Sequence, residues 1–316
     1  MYFLGVDSGG TKSEVALLAE DGAVLNKAMG APLHMRVRAG KRVIHLLRDL
    51  IDFTLQPTGV TWPQITQFGF GLAGADFEDE IHLQRQAFCR AYKLTPNQLT
   101  LVNDGVVALW GGSDRERAVI LQLGTAYTSA YRGRFGEETP LDHLNAGVQF
   151  EIRHRLLTTV ARVVDGREKP SVLRKLVREH YGFADETTML KVATRGKLDR
   201  AMTLFVISAL NEAVAQGDEV AVRIVHEAAD YYTRDVVFLI DKVGGAEVDV
   251  VLGGGLLNNG PPLLREVLAE KIKGERPSVI VHPPHLPPAV GAAVMAAFRV
   301  GSDHRRIFAR ALETNR

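Results

Sequence analysis

An order of elements that occurs twice constrains this chain more than any single motif does. Tyr2 to Val6 is a short apolar run, Asp7-Ser8-Gly9-Gly10-Thr11 is a turn, and Ser13 to Ala19 is a returning apolar run. Asp21-Gly22 is a hairpin turn that leads into a third strand, Ala23 to Met29. Apolar residues at helical spacing follow over Lys41 to Leu55 (Val43, Ile44, Leu46, Leu47, Leu50, Ile51). Then come a strand from Gln67 to Leu72 closing on Ala73-Gly74, a helix from Phe77 to Tyr92, a strand from Leu99 to Val102, the turn Asn103-Asp104-Gly105, and a helical run from Val106. From Arg117 the order starts again. A strand runs to Leu123, Gly124-Thr125-Ala126 turns, Tyr127 to Tyr131 returns, and Gly133 to Gly136 opens a further hairpin. Helices follow at about 148–164, 171–180, 200–215 and 219–242. The strand Val248 to Leu252 meets Gly253-Gly254-Gly255, and a helix (261–272), a strand (278–282) and a last helix (287–300) close the pattern.

The repeat predicts two α/β domains of like topology with a cleft between them, 1–116 and 117–316, with the last helix, 287–300, able to pack back on the first. The join lies in the polar stretch GGSDRERA, and 316 residues suit two domains at roughly 100–200 residues each. A balance of 38 basic against 37 acidic residues gives no broad handle for nucleic acid or an anionic membrane. The single cysteine, Cys89, excludes an internal disulfide framework and any cysteine-built zinc or iron–sulfur site within one chain. The opening residues carry no basic leader or long apolar run, and nothing reaches the roughly 18 apolar residues of a membrane helix, so a cytoplasmic location is expected.

Four segments carry chemistry. In VDSGGTKSEVAL, Asp7 ends a strand and Gly9-Gly10 let backbone N–H groups approach a phosphate, with Thr11 and Ser13 as hydroxyl donors. Asp7 suits magnesium held through water. A plain glycine hairpin is the competing reading. QLGTAYTSAY occupies the matching place in the second half, where Gly124, Thr125 and Thr128 would clamp the far side of the same phosphates. In LVNDGVVAL, Asp104 stands between a strand and a helix at a sheet edge where α/β proteins bind ligands. It is either a helix N-cap or a general base, and the two roles are compatible. VDVVLGGGLLNN brings an apolar strand onto three glycines ahead of a helix. The chain lacks GxxxxGK[ST] and has no GxGxxG after its first strand, which argues against a P-loop enzyme and a Rossmann dehydrogenase.

With these pieces in this order, the chain resembles the BadF/BadG/BcrA/BcrD-type ATPase family, which includes N-acetylglucosamine kinases and belongs to the actin/sugar-kinase/Hsp70 superfamily. The segments that carry the likeness are VDSGGTKSEVALLAEDG, GLAGADFEDE, VNDGVVAL, VVLGGGLLNN and PPAVGAAVMAAF. The resemblance implies two ribonuclease H-like domains around a cleft, ATP and Mg²⁺ as cofactors, and a sugar as substrate. Asp7 would correspond to the acid near Mg²⁺. Gly9, Gly10, Thr11 and Lys12 would line the phosphates, with Gly124 and Thr125 as the second phosphate loop. Gly253, Gly254, Gly255 and Asn258 would sit by the adenosine. Asp104 would be the base that takes a proton from the sugar hydroxyl, with Asp76, Asn103 and His34 beside the sugar.

Two departures from the family pattern stand out. GTAY replaces the usual GTGS, placing Ala126 and Tyr127 where a glycine and a small residue are the rule. The sugar-holding segment that follows in the kinases has no counterpart in Glu137 to Arg155, where Asp142, His143, Asn145 and Gln149 form a polar cluster instead. The leading expectation is an ATP-dependent kinase acting on an amino sugar, and the competing one a non-catalytic, nucleotide-dependent sensor or bare ATPase. The cysteine-clustered dehydratase activators of the family are disfavoured, since Cys89 reads as a core residue. His282-Pro283-Pro284-His285 reads as a stiff loop rather than a metal pair, Arg305, Arg306 and Arg310 as a solvated basic tail, and Arg200 to Lys242 as a face for a homodimer.

Overall fold

The computed structural model describes residues 1–33, 40–124, 127–141, 152–182, 184–195, 200–245 and 247–315. The first half contains β1 (Tyr2–Ser8), β2 (Ser13–Ala19), β3 (Val24–Gly30), α1 (Lys41–Leu55), β4 (Ile65–Leu72), α2 (Glu78–Tyr92), β5 (Leu99–Asn103) and α3 (Asp104–Gly112). The second contains β6 (Ala118–Leu123), β7 (Tyr127–Arg132), β8 (Glu138–Pro140), α4 (Ile152–Val164), α5 (Leu173–Tyr181), α6 (Glu186–Arg195), α7 (Arg200–Ala215), α8 (Glu219–Val243), β9 (Asp249–Gly253), α9 (Gly255–Asn259), α10 (Pro262–Glu275) and β10 (Ile280–His282). Two helices close the chain, α11 (Pro288–Arg299) and α12 (His304–Thr314).

The two sheets share one topology. The first has the order β3-β2-β1-β4-β5, an antiparallel meander extended by two parallel strands on the β1 side. The second, β10-β9-β6-β7-β8, repeats it around β6. The expectation of two α/β halves of like topology holds, in an actin-like arrangement. Strands buried on both faces give the apolar runs that made the halves visible: all but one residue of β4 is buried, as is all of β9.

Helix α11 lies on the first sheet although it follows the second in sequence. Its middle is made of small residues, and Ala289 to Ala297 are all buried. Gly5 of β1 and Gly69 of β4 accommodate it: a Cβ at either position would run into the α11 backbone, at Ala289 and Ala292 respectively. Helix α12 departs from the expected solvated tail. Its arginines face water, but Ile307, Phe308 and Ala311 form a buried stripe at helical spacing, and the Ile307 backbone sits against Gly22. The apolar stripe of α8 is likewise buried inside the chain's own core, from Val220 to Ile240. No helix among the described residues is long and apolar enough to cross a membrane.

Candidate active site

At the C-terminal edges of both sheets the loops enclose a cleft of about 920 Å³. The first half contributes the turn after β1. There Gly9 donates its N–H to the Lys12 carbonyl at 3.1 Å, and a Cβ at Gly10 would meet nothing within 4 Å, so packing does not dictate that glycine. The turn stands open to the cleft, and Asp7, Gly9, Gly10, Thr11 and Lys12 all line it. Ser13 does not serve as a ligand donor. It is fully buried, and its hydroxyl pairs with Ser8 Oγ at 3.0 Å, which closes the base of the hairpin.

Register then creates a charged group that the turn alone does not reveal. Asp7 lies directly opposite Glu14 in the β1–β2 ladder, so both carboxylates share one face. Lys12 Nζ donates to Glu14 Oε2 at 2.7 Å. Burial, with the Glu14 charge adding to it and Lys12 opposing, pushes the Asp7 carboxyl up to about 7.

The junction of β5 and α3 removes one of the two readings of Asp104, that of helix N-cap. The N-cap is Asn103, whose Oδ1 accepts from the Gly105 N–H at 2.7 Å. Asp104 is therefore the first residue of the helix, and it lines the cleft with the positive end of the α3 dipole behind it. Asn103 is fully buried and sits beneath the cleft rather than in its wall, and its Nδ2 donates to Asp76 Oδ1 at 2.8 Å. Burial raises the Asp76 carboxyl above its ordinary range, with Glu80 adding and the Asn103 hydrogen bond opposing. One buried amide thus caps α3 and holds the acid beside it.

The second half supplies the opposite wall. Gly124 and Tyr127 line the cleft, while Thr125 lies outside the described residues, as do His34 and the cluster Asp142, His143, Asn145 and Gln149. Tyr127 turns its ring onto Tyr232 of α8, stacked at 6.1 Å between centroids, with Asp235 beside it. Gly254 has φ +94°, and a Cβ there would strike the Leu123 backbone, so the glycine turn fits tightly against β6. Gly254, Gly255 and Asn258 line the cleft. Gly253 does not, being packed under the Pro284 ring. Asn258 Oδ1 accepts from Arg265 at 2.8 Å.

Sequence reasoning missed Glu14, Gln122 and the proline wall Pro283 to Pro288. The available signal for the first was its place two residues after Lys12, close enough for the two side chains to pair across the start of β2. Within the wall, His282 and His285 stack at 4.4 Å, and His282 turns to Asp249 at 3.3 Å. Among the described residues no group of three His, Cys, Asp or Glu side chains is placed to hold a metal.

Comparison with known proteins bears on this arrangement. The sequence profile of the BadF/BadG/BcrA/BcrD ATPase family matches residues 4–296. The chain belongs to that family. An N-acetylmuramic acid/N-acetylglucosamine kinase of Clostridium acetobutylicum is 23% identical over 266 residues, covering 82% of this chain and 86% of that one. Among solved structures, a candidate N-acetylglucosamine kinase from Chromobacterium violaceum superposes with a TM-score of 0.67 at 21% identity, over 93% of this chain and 98% of that one. A ROK family glucokinase from Streptomyces griseus, solved with glucose and AMPPNP, gives 0.59 at 18% identity over 94% and 100%. These structures share the fold with this member of the ATPase family.

Proposed function

We propose that the protein is an ATP-dependent sugar kinase that transfers the γ-phosphoryl group of ATP to a hydroxyl of N-acetylglucosamine, glucosamine or a related amino sugar. The observation that carries this reading is the shared cleft: Asp7, Gly10 and Lys12 from one half, Gly124 and Gly254 from the other, and Asp104 all line one space of about 920 Å³. The related Clostridium kinase supplies the acceptor class.

Phosphoryl transfer asks chiefly for positioning and charge neutralisation. In this reading the first glycine turn, which stands open to the cleft, and the Lys12 ammonium hold the phosphates, and the turn at Gly254 and Gly255 takes the adenosine. The Asp104 side chain, at the N-terminus of α3, accepts the proton of the acceptor hydroxyl. The acceptor oxygen bonds to the γ-phosphorus as the bond from that phosphorus to the β,γ-bridging oxygen breaks, and ADP departs with the electron pair. The donor set fits Mg²⁺, a hard cation that takes one or two carboxylates and keeps its remaining ligands as water and phosphate oxygen. Asp7 would hold it, and when bound it neutralises charge on the triphosphate.

Calorimetry with ATP–Mg²⁺ followed by a phosphorylation screen over amino sugars tests the proposal. The expected result is nucleotide binding, with ADP formed one-for-one with a phosphosugar. Binding without product from any acceptor would leave a bare ATPase or a nucleotide-dependent sensor, and a chain that binds no ATP would end the nucleotide reading.

A further inference from the structure

Glu14 is a carboxylate that the mechanism above does not use. It lines the cleft yet is only 6% exposed, and it faces a second carboxylate, Asp7, across the β1–β2 pair. Burying an acid beside a like charge is costly, so a partner must offset it. That partner is Lys12, at 2.7 Å, in the turn two residues earlier. The Lys12 ammonium is otherwise half-exposed, and its other near contact is the weak acceptor Met29 Sδ at 3.7 Å.

We propose that Glu14 is a positioning residue that holds the Lys12 ammonium over the phosphate turn before nucleotide arrives, a role that rests on the nucleotide reading above. A free lysine carries rotamer freedom that a ligand must remove on binding. A lysine tethered through one of its three N–H donors has already lost that freedom and keeps donors for a phosphate oxygen. The tether also forms a neutral pair, which leaves Asp7 as the acid of the turn still open to a cation. Glu14 acts through Lys12 and need not touch the nucleotide.

A double-mutant cycle tests this, with ATP–Mg²⁺ titrated calorimetrically into the full-length wild type, Glu14→Gln, Lys12→Met and the double variant. Glu14→Gln keeps the size and is expected to weaken ATP binding about tenfold in the wild-type background and less than about twofold in the Lys12→Met background. Thermal unfolding of all four without nucleotide reads the purely structural cost, which should not follow the affinity pattern. Equal loss in both backgrounds, unchanged affinity, or tighter binding by Glu14→Gln would each overturn the proposal. A wild type that binds no ATP overturns the nucleotide reading and this one with it, whereas binding without coupling overturns only this one.

Discussion

Asp104 and Asp7 are both carboxylates at strand ends, and their surroundings give them different work. Asp104 opens a helix, where the dipole favours its charge. Replacing it with Asn keeps the shape and removes the proposed base. Transfer to the acceptor is then expected to fall by about 10²–10⁴, with ATP affinity changed by less than about threefold, read by coupled ADP release and calorimetry. Asp7 is held against its charge, its carboxyl raised from 3.8 to about 7 by burial, with Glu14 adding and Lys12 opposing. The folded state therefore keeps a proton that the unfolded chain has already released. This favours folding fully below the unfolded value and is lost as pH rises from about 4 through about 7. Without nucleotide, Asp7→Asn should remove this loss and stabilise the protein by on the order of 4 kcal/mol at about pH 8, with little gain at about pH 4. Urea unfolding at the two pH values checks this, and an equal effect at both would refute it.

Among the elements, the β5–α3 junction carries the densest information. Asn103→Ala removes the α3 cap and the amide that holds Asp76. The cap alone is worth about 0.5–2 kcal/mol, and Asp76, left with its Gly74 backbone bond, adds to the loss. The variant should lose stability by about 2 kcal/mol and weaken acceptor binding more than ATP binding, as separate KM values for the two substrates would show. What the sequence made legible at this scale follows from physics that acts locally. Buried strands such as β4 and β9 declared themselves by unbroken apolar runs, and α11 by its stretch of small residues. Elements with few apolar residues did not: α6, ETTMLKVATR, offers only a few, and β8 is three residues long. The basic residues of α12 masked the stripe of Ile307, Phe308 and Ala311. That the glycine turns and the strand-end acids line one cleft was readable because their placement depends on local backbone shape. Glu14 was not, because its meaning comes from a register that puts it opposite Asp7. Nor was the division of labour between Asn103 and Asp104, which turns on a one-residue difference in where α3 begins.

At the scale of the whole molecule, the two halves are alike in topology but not in independence. The face of β1 and β4 that holds Gly5 and Gly69 is covered by α11, which the chain supplies only after completing the second sheet. The same helix meets α3 closely at Gly291, where a Cβ would collide with Gly111 and the Val107 carbonyl. The first half thus closes its core with the far end of the sequence, and the cleft inherits that dependence, because β1 ends in Asp7 and α3 begins with Asp104. A fragment of residues 1–116 would expose the apolar floor on which α11 sits, at about 25 cal/mol for each Å² uncovered. It should fail to unfold cooperatively on its own. Adding a peptide spanning 286–316 should restore a cooperative transition, followed by circular dichroism during thermal melting, while a peptide with Ala289 and Ala293 both changed to Leu should not. Both positions are fully buried, and a longer side chain at Ala293 would press toward Gly5, where little space is left. A fragment that melts cooperatively without the peptide would show that the first sheet is self-sufficient and that the two ends of the chain are not coupled through α11.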